Sequence, residues 1–434
     1  MTATRRAVVG AGLAAAGAGA FPARARDRAM TASGFWWGTA TSAHQIEGNN
    51  VNSDFWLAEH VKPSAFVEPS GDACDAYHRY AEDIALAKRL GFNAHRFGIE
   101  WSRIEPEPGK FSIAELDHYA RVLDVCAEHG LAPMVTLSHW TVPRWFAARG
   151  GFEEPDSPEL FARFAEKVGQ HLGSRMAAAT TFNEANIVRL LQLSGLIKPP
   201  VMKIIGAMFD ACAKASGTTR FANVLFADRE KSEAQFVKAH DLAVAALKAG
   251  PGSYPIGVTL TMQAIQGEGE GHRADAVKAE LYGPWLDVAC RADFIGVQTY
   301  TRFRVGPEGI LPPPQGAERT GAGYEFYPQA LGETIRDAWE LTGRPIYVTE
   351  NGIATNDDTR RVAYIDAALA AMRDAQKAGA DVRGYFHWSL LDNFEWTAGY
   401  AQHFGLIQVD RTSFKRTPKP SAIHLGKIAQ AARR

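Results

Sequence analysis

Eight short β-rich runs, separated by helical stretches or long loops, constrain this chain more than any other feature. FWWGTA (35–40), AHRFGI (94–99), APMVTLS (132–138), AATTFN (178–183), IGVTLT (256–261), DFIGVQ (293–298), PIYVTE (345–350) and GYFHWS (384–389) are rich in apolar residues, as strands buried on both faces are. Between most of them lie amphipathic segments. YAEDIALAKRLG closes on Gly91, a helix C-terminal signal, and SPELFARFAEKVGQHLG, SEAQFVKAHDLAVAALKAG and RRVAYIDAALAAMRDAQKAG repeat apolar residues at spacings of three and four. Strands alternating with helices make a parallel sheet, and eight strands close one into a barrel. The expected fold is α/β, a single (β/α)8 TIM barrel with long βα loops, spanning residues 30–432. An open doubly wound sheet is the competing topology, but no phosphate-binding turn follows an early strand.

The N-terminus follows a different rule. MTATRRAVVGAGLAAAGAGAFPARARD sets Arg5 and Arg6 before a weakly apolar Ala/Gly/Val segment, with Ala23-Arg24-Ala25 as a small-residue cleavage site. That order predicts a twin-arginine type signal peptide over residues 1–25, and export to the periplasm or medium. Gly10 and Gly12 match a loose dinucleotide fingerprint, but no strand precedes them. The cysteines (Cys74, Cys126, Cys212, Cys290) show neither a CxxC pair nor metal-ligand spacing and read as core or helix residues. With 47 basic and 48 acidic residues, the chain lacks the basic surplus that nucleic acid or an anionic membrane selects. Once a signal is removed, no apolar stretch is long enough to span a bilayer. No cofactor and no metal site are expected.

Long loops follow the first strand (41–75) and the fourth (184–230), and on such a barrel βα loops build the active site at the C-terminal face. Glu184 ends the fourth strand in TTFNEAN, and Glu350 ends the seventh in IYVTENG. Only a closed barrel brings two such distant carboxyls face to face. Two carboxyls across a cleft are what glycosidic cleavage needs, one to protonate the leaving oxygen and one to attack the anomeric carbon or activate water. Either glutamate alone would be equally compatible with a salt-bridged barrel residue. Arg96, at the end of the second strand, could supply the positive neighbour that keeps a nucleophile ionised.

TFNEAN together with IYVTENGIA resembles the two catalytic segments of the family-one glycoside hydrolases, the retaining β-glucosidases and their relatives. The resemblance runs in order from about residue 35 to 430, through FWWGTATSAHQIEG, ACDAYHRYAEDIALAKRLGFNAHRFGIEWSRIEP, LSHWTVP, VQTYT, HWSLLDNFEW and HFGLIQVD followed by KRTPKPSA. It implies that Glu184 is the general acid/base and Glu350 the nucleophile, separated by roughly 5–5.5 Å as in retaining enzymes. Tyr300 matches the tyrosine that hydrogen-bonds the nucleophile. Gln45, His139, Trp140, Asn183, Glu395 and Trp396 match the residues that bind the non-reducing sugar, the glycone. Trp388 is read as barrel-wall packing with an edge toward the aglycone, and Trp36 and Trp37 as barrel filling. The remaining histidines show no metal geometry.

The chain departs from the family pattern in several places. Gln298 stands where asparagine is usual, Ser138 where an aromatic is common, and Thr141 where Asp or Asn is common. A longer amide at 298 could shift hydrogen bonding near the nucleophile or alter glycone preference. The apolar segment 190–230 could line a hydrophobic aglycone site or pack as a helix on the barrel rim. The resemblance implies a carbohydrate substrate, most simply a β-D-glucoside, with galactose, fucose and mannose open. A transglycosylase using the same covalent intermediate and an inactive sugar-binding barrel are the alternatives, the second disfavoured because both glutamates are present.

Overall fold

The computed structural model describes residues 34–195 and 197–433, so the expected signal peptide lies outside the described residues. Eight parallel strands form a closed barrel: β1 (Trp36–Ala40), β2 (Ala94–Gly98), β3 (Ala132–Ser138), β4 (Ala178–Phe182), β5 (Ile256–Thr261), β6 (Ile295–Gln298), β7 (Ile346–Asn351) and β8 (Val382–Trp388). Neighbours in sequence are neighbours in space, and β8 returns to β1 with Trp36 opposite Gly384 and Ala40 opposite Trp388. Each strand lies on one of the eight predicted runs. Apart from Arg383 in β8, every strand residue is buried.

Strand alternation then sorts the side chains. Trp36 packs with Met134, Tyr347 and Phe386 inside the barrel. Trp37, expected to fill the barrel as well, turns the other way and packs on Tyr385 in the layer between strands and helices. The helices start and stop where local chemistry directs. Ser112 accepts the Glu115 N–H at the start of Ile113–Glu128, and Pro158 sits in the first turn of Ser157–Leu172. Gly91, at φ 114°, ends Ala76–Leu90 by donating to the carbonyls of Ala87 and Lys88.

The long loops hold more order than their sequence suggests. Residues 41–75 contain helices Ala43–Ile46 and Asp54–His60, and residues 184–230 contain Ile187–Ser194 and Pro199–Ala215. The loops after β5 and β6 pair into a three-stranded sheet (Ala264–Gly267, Arg302–Gly306, Gly309–Leu311), and Ile407–Val409 pairs with Arg416–Pro418. All four cysteines are free thiols. Among the described residues no helix is long and apolar enough to cross a membrane.

Candidate active site

At the C-terminal end of β4 the backbone turns sharply. Glu184 has φ 42°, a left-handed conformation that costs a non-glycine residue of order 1–3 kcal/mol unless its surroundings enforce it. They do so here. The Glu184 N–H donates to Thr259 Oγ1 at 3.0 Å and toward Gln298 Oε1 at 3.3 Å, while Thr259 Oγ1 donates to the Phe182 carbonyl at 2.9 Å. Asn186 staples the turn to β5, donating to the carbonyls of Thr261 and Leu281 and accepting the Thr261 N–H. The two amides flanking Glu184 thus do different work. Asn186 holds backbone, and Asn183 faces the cavity.

Glu350 reaches the same cavity by another device. The pairing of β7 with β6 slips between Val348 and Glu350, setting Glu350 opposite Gln298. Such irregularities re-aim a side chain and are common beside active sites. Its carboxylate accepts from Arg96 Nη1 at 2.7 Å and from Tyr300 Oη at 2.6 Å. Arg96 is wholly buried, and its Nη2 donates to Asn183 Oδ1 at 2.6 Å. Gln298 Nε2 donates to that same oxygen at 2.8 Å. With its carbonyl doubly engaged, the Asn183 amide can only offer Nδ2 outward, and that atom has no protein partner.

The two carboxyls therefore differ in electrostatics. Burial, and then the charge of Glu350, pushes the Glu184 acid up to about 8, with a Thr261 hydrogen bond and Arg96 opposing weakly. Burial also raises Glu350, but Arg96, Tyr300 and Gln298 all favour its anion. A guanidinium and a phenol at hydrogen-bonding distance make Glu350 the group that ionises first. Glu184 keeps its proton.

Around this pair lies a polar cradle with aromatic walls. Gln45, on the short helix Ala43–Ile46, donates from Nε2 to the Phe394 carbonyl at 2.7 Å and toward Glu395 Oε2 at 3.4 Å. Trp140 Nε1 donates to the Asn183 carbonyl at 3.1 Å. The His139 ring lies nearly parallel to Trp388 and Trp396, and Trp140 packs on Trp396 with ring centres 5.0 Å apart. Burial, reinforced by Arg96, keeps His139 neutral by lowering its pKa well below the usual histidine value. Burial and the charges of Glu350 and Asp392 hold Glu395 well above the ordinary carboxyl range. Gln45 Oε1, His139 Nδ1, Asn183 Nδ2 and Glu395 Oε1 are all buried without a protein partner. Buried polar atoms are normally paired, so four orphans on side chains grouped around the aromatic walls mark a surface built for a polyhydroxylated ligand.

Hydrogen bonds and ring contacts link the predicted site residues around the two glutamates. Gln298 holds the site together, donating to Asn183 Oδ1 and accepting the Glu184 N–H. One residue was missed. Tyr324 is a ring neighbour of Tyr300, and burial with the charges of Glu184 and Glu395 pushes its phenol up to about 12. It sits in GAGYEFYP, where no periodicity or spacing distinguishes it. The apolar segment after Glu184 is helical. The inner face of Pro199–Ala215 buries Ile205, Met208 and Cys212, while Val201, Met202 and Ile204 are exposed.

The family model described as Glycosyl hydrolase family 1 matches residues 28–280 and 308–433. The chain is 32% identical over 448 residues to thermostable beta-glucosidase B of Thermobispora bispora, covering 90% of this chain and 88% of that protein. It is 31% identical over 460 residues to a bifunctional beta-D-glucosidase/beta-D-fucosidase of Bifidobacterium breve, covering 89% and 95%. The apo structure of a beta-glucosidase superposes with a TM-score of 0.88 at 48% identity, covering 92% of this chain and 98% of that one.

Proposed function

The chain belongs to glycosyl hydrolase family 1 and is a retaining β-glycosidase, and from that premise we propose that it removes terminal β-D-glucose from oligosaccharides or aryl and alkyl β-glucosides. The observation that carries the assignment of roles is the unequal treatment of the two buried glutamates. Glu350, ionised and held by Arg96 and Tyr300, attacks the anomeric carbon. Glu184, protonated near neutrality, gives its proton to the leaving oxygen as that bond breaks.

The resulting glycosyl ester removes the negative charge of Glu350. Glu184 then loses the neighbour that raised its pKa, ionises more readily, and takes a proton from the incoming water. Water attacks the anomeric carbon, Glu350 leaves as the carboxylate, and the sugar departs with its original configuration. Gln45, His139, Asn183 and Glu395 would bind glycone hydroxyls through their unpartnered atoms, beside the Trp396 indole. Two of the named relatives are described as acting on β-glucosides, which supports glucose as the first glycone to test.

The test is p-nitrophenol release from a panel of β-glucoside, β-fucoside, β-galactoside and β-mannoside, with Glu350→Ala as control. Fastest release from the glucoside, absent in the variant, supports the proposal. Preference for another sugar replaces glucose with that sugar. Export by a twin-arginine signal is proposed on Arg5, Arg6 and Ala23–Ala25, and the family match begins after that segment, at residue 28. Loss of export on Arg5→Lys/Arg6→Lys substitution is the expected result, and unchanged export would contradict it.

A further inference from the structure

Beneath the cradle runs a buried polar network that the chemistry above does not use. His44 is wholly enclosed, and its Nε2 meets Glu59 Oε1 at 2.8 Å, both side chains having no exposed surface. Glu59 Oε2 accepts from the N–H and hydroxyl of Ser70. On the other side, His44 Nδ1 lies 3.2 Å from Asn50 Nδ2, which donates to Glu100 Oε2 at 2.9 Å. Ser102 and Thr141 donate to Glu100 as well, so Thr141, where the family commonly has an acidic or amide side chain, serves this network.

Burying such groups is costly, and stability alone would favour an apolar packing of equal volume. What the network fixes is the plane of the His44 ring. That ring stacks on Trp396 at 5.8 Å between centres with only 5° between planes. Trp396 needs such support, because its backbone sits at φ 51°, a region where a bulky residue persists only when held. Phe55 closes the indole's surroundings at 4.9 Å. The next residue, Gln45, donates to Phe394 and Glu395. Two adjacent residues of one short helix therefore hold three successive residues of the β8 loop.

We propose that His44 is a positioning residue that sets the plane of the Trp396 indole and so the affinity for the sugar ring, given the reading of Trp396 as a glycone-binding residue. His44→Gln separates stacking from hydrogen bonding, because the amide can still reach Glu59 and Asn50 while the ring is gone. The test uses the full chain labelled with 5-fluorotryptophan, whose Trp396 fluorine line is assigned by Trp396→Phe. His44→Gln should move that line and leave the Trp101 and Trp285 lines in place. On p-nitrophenyl β-D-glucoside it should raise KM about tenfold while kcat stays within about threefold. In a Trp396→Ala background it should add no further KM effect. An unmoved Trp396 line, or an equal KM effect without Trp396, overturns the proposal. A wild-type enzyme silent on this substrate would fault the glucose reading, and the fluorine line would still decide the role of His44.

Discussion

Glu184 and Glu350 are the same residue type, buried at the same end of one barrel, and they are prepared for opposite tasks. Glu350 is aimed by a slip in strand pairing and grips a guanidinium and a phenol. Glu184 is aimed by a left-handed turn, and it is the backbone N–H that is tied down, leaving the carboxyl with little beyond Thr261 to favour its anion. Burial alone would raise both acids alike. The difference lies in the donors, and Gln298 links the two halves by touching Asn183 and the Glu184 N–H while favouring the Glu350 anion.

That contrast can be broken at several points. Glu350→Ala should reduce release from every substrate to background, a larger loss than the roughly 10²–10⁴-fold that proton transfer contributes, in initial-rate assays. Glu184→Gln should lose about that 10²–10⁴-fold in kcat/KM on alkyl glucosides, whose leaving groups need a proton, and much less in kcat/KM on 2,4-dinitrophenyl glucoside, whose leaving group does not. Equal losses on both would deny Glu184 its role as acid.

The pH profile sharpens the same contrast. Glu350 must be ionised to attack, so kcat/KM should fall as pH drops through its titration. Glu184 must be protonated, so kcat/KM should fall as pH rises through about 8. Arg96→Lys keeps the charge but loses the two-pronged contact with Glu350 and Asn183. It should lower kcat/KM about 10–100-fold, the worth of one charge-assisted hydrogen bond, and move the acidic limb to higher pH because the Glu350 anion is less well held. Gln298→Asn shortens the amide that joins the two halves, and about a fivefold loss is expected, with Asn183 less firmly oriented and KM rising. An unchanged KM would show that Arg96 orients Asn183 by itself.

The eight barrel strands were legible because each is buried along its whole length, which makes an apolar run. The small sheets were not. Ala264–Gly267 and Gly309–Leu311 are short and half-exposed, so their pairing depends on loops meeting in space. The site divides the same way. Glu184, Glu350, Arg96 and the cradle residues lie in segments whose order and spacing carry a family resemblance. Tyr324 and the stack of His44 on Trp396 come from contacts between distant loops that leave no local pattern. Gln298 was legible as a departure, but its role depended on which partners its amide met.

The most direct test of the unequal glutamates is to trap the intermediate. Wild-type protein treated with 2-deoxy-2-fluoro-β-D-glucosyl fluoride should gain one fluoroglucosyl unit, and peptide mapping should find it on Glu350. A label on Glu184, or an active enzyme that forms no adduct and releases the inverted α sugar first, would contradict the account.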